Sequence, residues 1–287
     1  MRISYGIQQM ILATFLFTLA NALVKVVNHI PAIEIVVFRA VISLLVCWLT
    51  MKKQGIFPWG KPKNRKFLLM RGLFGSVGLI LFFTVIQRLP LANALVIFYI
   101  APIFTTILAY FWLGESFYKI QWLFFAITLA GVWVIKGFDP RVDTLSLVMG
   151  LVATLFSAGA YVTIRRLKNA ENPWVIVFFF PLVTLPIAGA IASFYWITPV
   201  GWDWLILIAI GLLTQFAQVA MTKGYQQEEP SKAASITYSG VVYGLILGFI
   251  LFNETFGWVV IGGMVLVIAG ILLNVNARRV AGYLKRK

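Results

Sequence analysis

One arginine lies within an otherwise apolar stretch of the chain. The segment IEIVVFRAVISLLVCWL runs from Ile33 to Leu49, and Arg39 is its only charged residue after Glu34. A charge at the centre of a membrane helix costs about 2.5–3.5 kcal/mol on insertion scales, so we expect Arg39 to have a partner. Glu34 is five positions away, off the spacing of a same-face helical pair. None of the nine acidic residues falls in the middle of a predicted helix.

Arg39 is therefore predicted to hold the anionic part of a ligand, such as a carboxylate, through a bidentate contact. The alternative is that its long side chain snorkels to the membrane surface and pairs loosely with Glu34. A second arginine in an apolar stretch, Arg71, lies close to the end of its predicted helix, and we expect it to snorkel to lipid phosphate.

Polar residues recur at helical spacing around these arginines, which is typical of helices that face a water-filled centre. One stripe contains Asn21 and Lys25, and another contains Gln215 and Gln218. These four side chains are predicted to bind a substrate together with Arg39; hydrogen bonding between helices is the alternative. Aromatic faces for a cationic group are predicted from Tyr99, Tyr238 and Tyr243.

The sequence lacks the residues that enzymes and metal sites need. With one histidine and one cysteine, no metal cluster is expected, and the spans contain no catalytic acid or base. His29 is predicted to be interfacial. Glu115 and Glu254 each precede an apolar run and are predicted to cap the helices that follow. We expect no cofactor, no metal and no enzymatic activity.

The composition indicates that most of the chain is dissolved in lipid. Hydrophobic residues make up 61% and charged residues only 11%, whereas soluble proteins carry about a quarter charged residues. The net charge of +15 does not indicate nucleic-acid binding, because the basic residues lie in short loops. The expected partners are the lipid bilayer and a small-molecule substrate, in a monomer or homodimer.

Apolar runs predict an all-α membrane protein with ten transmembrane helices. If the N-terminus is cytoplasmic, 18 of the 24 Lys and Arg residues fall on the cytoplasmic side and 4 on the outer side. This asymmetry predicts that both termini are cytoplasmic in a bacterial inner membrane. The first run is read as a retained helix. The predicted spans are 5–28, 33–51, 66–87, 92–113, 118–137, 145–165, 174–196, 203–224, 232–252 and 257–276.

The chain repeats itself at a constant offset of 139 residues. The segment YIAPIFTTILAYFWLGESF matches YSGVVYGLILGFILFNETF, with Glu115 aligned to Glu254, and the register continues from the first span to the tenth. Each copy has five spans, an odd number, so the second copy is inverted relative to the first. The predicted units are residues 1–139 and 140–287, two inverted five-helix repeats.

These features resemble the drug/metabolite transporter superfamily, EamA type. The resemblance is carried by the five-plus-five repeat, the LGES and FNET segments, and RGLFGSVGLILFFTVIQRLPLANALVIFYIAPIFTTILA. Glu34 followed by Arg39, with RG at Arg71, is similar to the branch of S-adenosylmethionine transporters and SLC35G-like carriers. The resemblance implies a secondary carrier with a central cavity lined mainly by spans other than the fifth and tenth.

Inverted repeats give two states of similar energy, one open to each side of the membrane, which is the basis of alternating access. We therefore expect a secondary transporter for a small polar metabolite, an amino acid or derivative that is anionic or zwitterionic. The alternatives are a multidrug exporter of the same fold or an integral-membrane enzyme. Exporters of cationic drugs commonly place an acid in the membrane, and no predicted span holds one at its centre.

Overall fold

The structure is a computed structural model, and it describes residues 4–98, 100–114, 118–167, 170–227, 236–237 and 239–277. These residues form α-helices and one 3₁₀ turn (Pro62–Asn64), with no strand among them. The helices are α1 (Tyr5–Val26), α2 (Ala32–Gln54), α3 (Arg65–Arg88), α4 (Leu91–Phe98), α5 (Ala101–Leu113), α6 (Gln121–Phe138), α7 (Thr144–Leu167), α8 (Pro173–Ala192), α9 (Asp203–Gln227), α10 (Ser239–Phe252) and α11 (Trp258–Val275).

Eight stretches are long and apolar enough to cross a membrane, with α4 and α5 together forming one of them. The helices α10 and α11 are apolar but shorter, and part of the ninth predicted span lies outside the described residues. Large apolar side chains such as Phe111, Trp133 and Phe249 point outward, with more than 60% of each side chain exposed. Lipid satisfies such a surface, so the chain is a multi-pass helical membrane protein.

Local sequence signals explain several helix ends. Gly55 and Gly114 terminate α2 and α5 in the left-handed conformation, at φ 65° and 67°, which glycine adopts without a steric penalty. Pro102 lies in the first turn of α5, where a proline replaces no intrahelical hydrogen bond. Pro181 and Pro186, by contrast, lie inside a continuous α8.

The helices pack in a pattern of pairs. α1 packs against α9, and α3 packs against α7. α2 lies against α8 and also contacts α9, while α3 also contacts α8. α6 and α11 pack against each other, and α4 packs against α10. Glycines allow close approach at these contacts: a Cβ on Gly72 would lie 2.8 Å from the Phe179 carbonyl oxygen.

Packing differs between the two ends of the bundle. We call the end that carries the α1–α2 connection the α1–α2 end, and the opposite one the α2–α3 end. At the α1–α2 end, one continuous apolar core joins helices from both halves of the chain. At the α2–α3 end, the buried apolar residues form two separate clusters, one around Cys47 and Leu68 and one around Met10 and Met221.

Candidate functional site

A central cavity of about 140 Å³ lies between the helices. Its lining comes from α1 to α5 and from α7 to α9, together with Thr237, and includes no residue of α6 or α11. The walls combine aromatic and aliphatic side chains with a few polar ones. The polar lining residues are Thr14, Asn21, Arg39, Arg71, Ser157, Tyr161, Thr214, Gln218 and Thr237.

Arg39 reaches this cavity from the first half of α2, where only 7% of it is exposed. Its guanidinium carbon lies 5.3 Å from the centre of the Phe180 ring and 5.6 Å from that of Phe83. Glu34 is not its partner, since one Glu34 oxygen accepts from the Ile197 backbone N–H at 2.9 Å. The Arg39 guanidinium therefore faces aromatic rings, and no carboxylate of the described residues pairs with it.

Arg71 lines the same cavity, which corrects the prediction that it snorkels to lipid. Only 3% of Arg71 is exposed, and its guanidinium carbon lies 4.5 Å from the centre of the Phe180 ring. Its Nε and Nη1 atoms are buried without a hydrogen-bond partner among the described residues. The guanidinium of Arg71 fits because residue 75, one turn further along α3, is a glycine. A Cβ on Gly75 would lie only 2.2 Å from Arg71 Nη1.

Of the other predicted ligands, Asn21 and Gln218 line the cavity. The Gln218 Nε2 atom is buried and has no hydrogen-bond partner within the described ranges. The threonine hydroxyls are satisfied locally, as Thr14 donates to the Met10 carbonyl oxygen at 2.8 Å. The buried lining atoms that lack a hydrogen-bond partner among the described residues are therefore nitrogen donors.

Gln215 is placed differently from the prediction. Its amide accepts from the Ser43 hydroxyl and lies 3.1 Å from the Cys47 sulfur, so it joins α9 to α2 and is not in the cavity lining. Tyr243 packs against the Phe15 ring, with 5.8 Å between ring centres, away from the lining. Tyr99, Tyr238 and Glu115 lie outside the described residues.

Lys25 and Glu254 form an ion pair at the α1–α2 end, which corrects two predictions. The Lys25 ammonium also donates to the Leu89 carbonyl oxygen at 2.7 Å, so it is not in the cavity lining. Glu254 does not cap the helix that follows it. Instead, its carboxylate accepts from the Leu91 N–H, at the start of α4. The N-cap of α11 is Gly257, which makes no side-chain cap hydrogen bond.

A second polar network reinforces this end. Arg141 makes two contacts of 2.8 Å with the Asp139 carboxylate, which also accepts from Asn93 at 2.8 Å. Burial by itself raises the pKa of Asp139, but the hydrogen bonds from Arg141 and Asn93 outweigh burial and hold that pKa below its usual value. Arg141 also donates to the Thr255 carbonyl oxygen at 2.9 Å, which ties the α6–α7 connection to the segment before α11.

His29 lies 3.1 Å from an Asp203 carboxylate oxygen and is exposed at the same end. Among the described residues, the three ion pairs all lie at the α1–α2 end. Within those residues, no group of three or more His, Cys, Asp and Glu side chains is positioned to hold a metal.

Sequence reasoning missed Arg71 and Phe180 as parts of one site. The available signal was the pairing of Arg71 with Gly75, because a glycine one turn away leaves room for a bulky guanidinium. Phe180 carried no such signal, since it lies in the run VIVFFFP and resembles any apolar membrane residue.

A bundle of membrane-length helices around a buried, partly polar cavity is the architecture of a helical membrane transporter. The model of the EamA-like transporter family matches residues 4–137 and, a second time, residues 144–276. The chain belongs to this family, as the sequence motifs predicted.

Named relatives agree with this assignment. The chain is 31% identical over 273 residues to the pseudopaline exporter CntI of Pseudomonas aeruginosa, covering 94% of this chain and 95% of that protein. It is 31% identical over 291 residues to human solute carrier family 35 member G1, covering 95% of this chain and 78% of the human protein. A protein of known crystal structure, 19% identical, has the same fold, with a TM-score of 0.68 over 96% of this chain and 98% of that one.

Proposed function

We propose that the protein is a secondary transporter that moves a small anionic or zwitterionic metabolite across the bacterial cytoplasmic membrane. The observation that carries this proposal is the pair of buried guanidiniums, Arg39 and Arg71, in a central cavity. A buried cation without a carboxylate partner is costly. A substrate that brings its own negative charge offsets that cost while it is bound.

Alternating access between two inverted five-helix repeats is the proposed mechanism. At the offset of 139 residues, α1 corresponds to α7 and α3 corresponds to α9. The contact between α1 and α9 therefore has a counterpart in the contact between α7 and α3, and both contacts are present. The same offset relates the α2–α9 contact to the α8–α3 contact. The double match to the family model also supports ten spans, in units that correspond to residues 1–139 and 140–287.

The packing of the apolar core supports an inward-facing state in the proposed orientation. The α1–α2 end has a continuous apolar core. The buried apolar residues described at the α2–α3 end form two separate clusters, and this end faces the cytoplasm by the distribution of lysines and arginines. In this state the substrate enters the cavity from the cytoplasm. The name of the Pseudomonas relative makes export the direction to test first.

A multidrug exporter and an integral-membrane enzyme, the two alternative functions, have less support. A cationic drug needs an anionic site, but no acidic residue lies in the cavity lining of the described structure. The family and the named relatives point to transport rather than to catalysis.

The test is uptake of labelled metabolites into proteoliposomes. The panel contains amino acids, S-adenosylmethionine, carboxylates and nucleobases, and the proteins are wild type, Arg39→Gln and Arg88→Gln. Arg88 is an exposed arginine at the end of α3, so its variant controls for the loss of a positive charge. We expect an anionic or zwitterionic compound to be taken up by wild type and Arg88→Gln and to be lost in a folded Arg39→Gln. Uptake of a cationic compound alone would contradict the proposal.

A further inference from the structure

We infer that the central cavity binds a small molecule with two carboxylate groups joined by a short carbon chain. This inference rests on the proposed transport function and deepens it by naming the substrate class. Four observations support it: the charge of the lining, its unused donors, the spacing of the two guanidiniums and the size of the cavity.

The lining carries two positive charges and, in the described residues, no negative one. Arg39 and Arg71 are both more than nine-tenths buried. Both guanidiniums face aromatic rings, which attract a cation but do not neutralise it. One monocarboxylate leaves one of the two cations uncompensated, whereas a dianion compensates both.

The buried atoms of the lining that lack a hydrogen-bond partner among the described residues are donors. Arg71 Nε, Arg71 Nη1 and Gln218 Nε2 are buried and have no acceptor within the described part of the chain. An ionised carboxylate offers acceptors and no donor, and it matches the fork of a guanidinium with two parallel hydrogen bonds. A ligand without acceptor atoms leaves these donors unsatisfied, at a cost of about 1–3 kcal/mol each.

The two cations lie close enough together for one molecule to contact both. The guanidinium carbons of Arg39 and Arg71 lie 5.3 Å and 4.5 Å from the centre of the same ring, that of Phe180. Their separation therefore cannot exceed the sum of these two distances. A short chain with a carboxylate at each end spans such a gap, so one ligand can contact both guanidiniums.

The remaining walls fit the carbon part of such a ligand. Leu79, Phe82, Phe83 and Phe98 line the cavity with apolar surface. The volume of about 140 Å³ is close to that of an engineered cavity of about 150 Å³ that holds benzene. These features favour an aliphatic dicarboxylate with a short carbon chain over inorganic phosphate, which is compact and polar on every side.

Ligand-dependent thermal stability of the purified protein tests this inference without requiring transport. The probes are malonate, succinate, glutarate and adipate, with acetate, butyrate and inorganic phosphate for comparison. We expect the apparent Kd of the preferred dicarboxylate to be at least tenfold lower than that of butyrate. Arg39→Gln and Arg71→Gln should each abolish this preference, and Arg88→Gln should retain it.

Three outcomes overturn the inference: equal binding of butyrate and the dicarboxylates, tighter binding of phosphate, or a preference that survives Arg71→Gln. Where a glutamine variant does not fold, Arg39→Lys or Arg71→Lys replaces it and is expected to weaken the preference, because the charge remains but the bidentate fork is lost. If no variant folds, the order of the apparent Kd values that wild type shows for the probes still tests the inference.

Dicarboxylate binding without uptake into proteoliposomes contradicts the transport proposal alone. Uptake of another metabolite without dicarboxylate binding contradicts this inference alone.

Discussion

Replacing Gly75 by alanine should weaken substrate binding without unfolding the protein. The new Cβ would lie 2.2 Å from Arg71 Nη1 and 2.9 Å from a Phe180 ring carbon. Ordinary contact begins near 3.4 Å, so Nη1 must move by about 1 Å or more. Nη1 is the far end of a flexible side chain and moves at little cost, whereas the Phe180 ring must also shift by a few tenths of an ångström.

The shift removes the arginine from its position for a carboxylate. A hydrogen bond to a charged group contributes about 1.5–3 kcal/mol, so the apparent Kd for the preferred dicarboxylate should rise by about tenfold or more. Gly262→Ala in α11 is the matched control, because a Cβ at Gly262 meets nothing within 4 Å. It should leave the Kd unchanged and slightly raise the melting temperature, since alanine favours helix over glycine.

A double-mutant cycle tests whether the effect passes through Arg71. In an Arg71→Gln background, Gly75→Ala should change the Kd much less than it does in wild type, because the side chain that it displaces is already shortened. An unchanged Kd in the Gly75→Ala single variant would refute the reasoning. So would an equal loss in both backgrounds, which would place the effect elsewhere in the cavity.

Two further predictions concern the α1–α2 end. Glu254→Gln leaves the half-buried Lys25 ammonium without its carboxylate and should lower the melting temperature clearly. Asp203→Asn weakens a pair whose histidine is largely exposed, and the asparagine oxygen can still accept from the Val200 N–H, so its melting temperature should stay near wild type. Equal losses of melting temperature in the two variants would contradict this difference. Asp139 has a folded-state pKa below its ordinary value of 3.8, so its contact with Arg141 stabilises the protein above that pH and is lost as the pH falls through the folded-state pKa. Melting temperatures measured from pH 6 to pH 3 should therefore fall in wild type and fall less in Asp139→Asn, and identical profiles would contradict the assigned role of the carboxylate.

The sequence was informative about helices because membrane helices are determined by a local property. Runs of apolar residues predicted where α1, α2 and α3 lie to within a few residues. The family followed from motifs that repeat along the chain. These features need no knowledge of how helices pack, because lipid acts on each helix separately.

The site was harder to predict because it depends on which face of a helix meets which neighbour. Gln215 and Gln218 are three residues apart and looked equivalent, yet one joins α2 to α9 and the other lines the cavity. Distance from a helix end suggested that Arg71 snorkels, whereas the direction of its side chain takes it inward. Lys25 was assigned to the substrate because its actual partner, Glu254, lies in the other half of the chain.

The Lys25–Glu254 pair makes the two halves of the protein unequal. At the offset of 139 residues, the counterpart of Lys25 is Ile164, which cannot form an ion pair. In the proposed cycle, the state closed at the α1–α2 end is therefore stabilised by an ion pair that the repeat does not reproduce at the aligned position of Lys25. Each 1.4 kcal/mol that this pair contributes shifts the resting population about tenfold towards that state. On this proposal, the binding of the cargo must supply the free energy that breaks the pair.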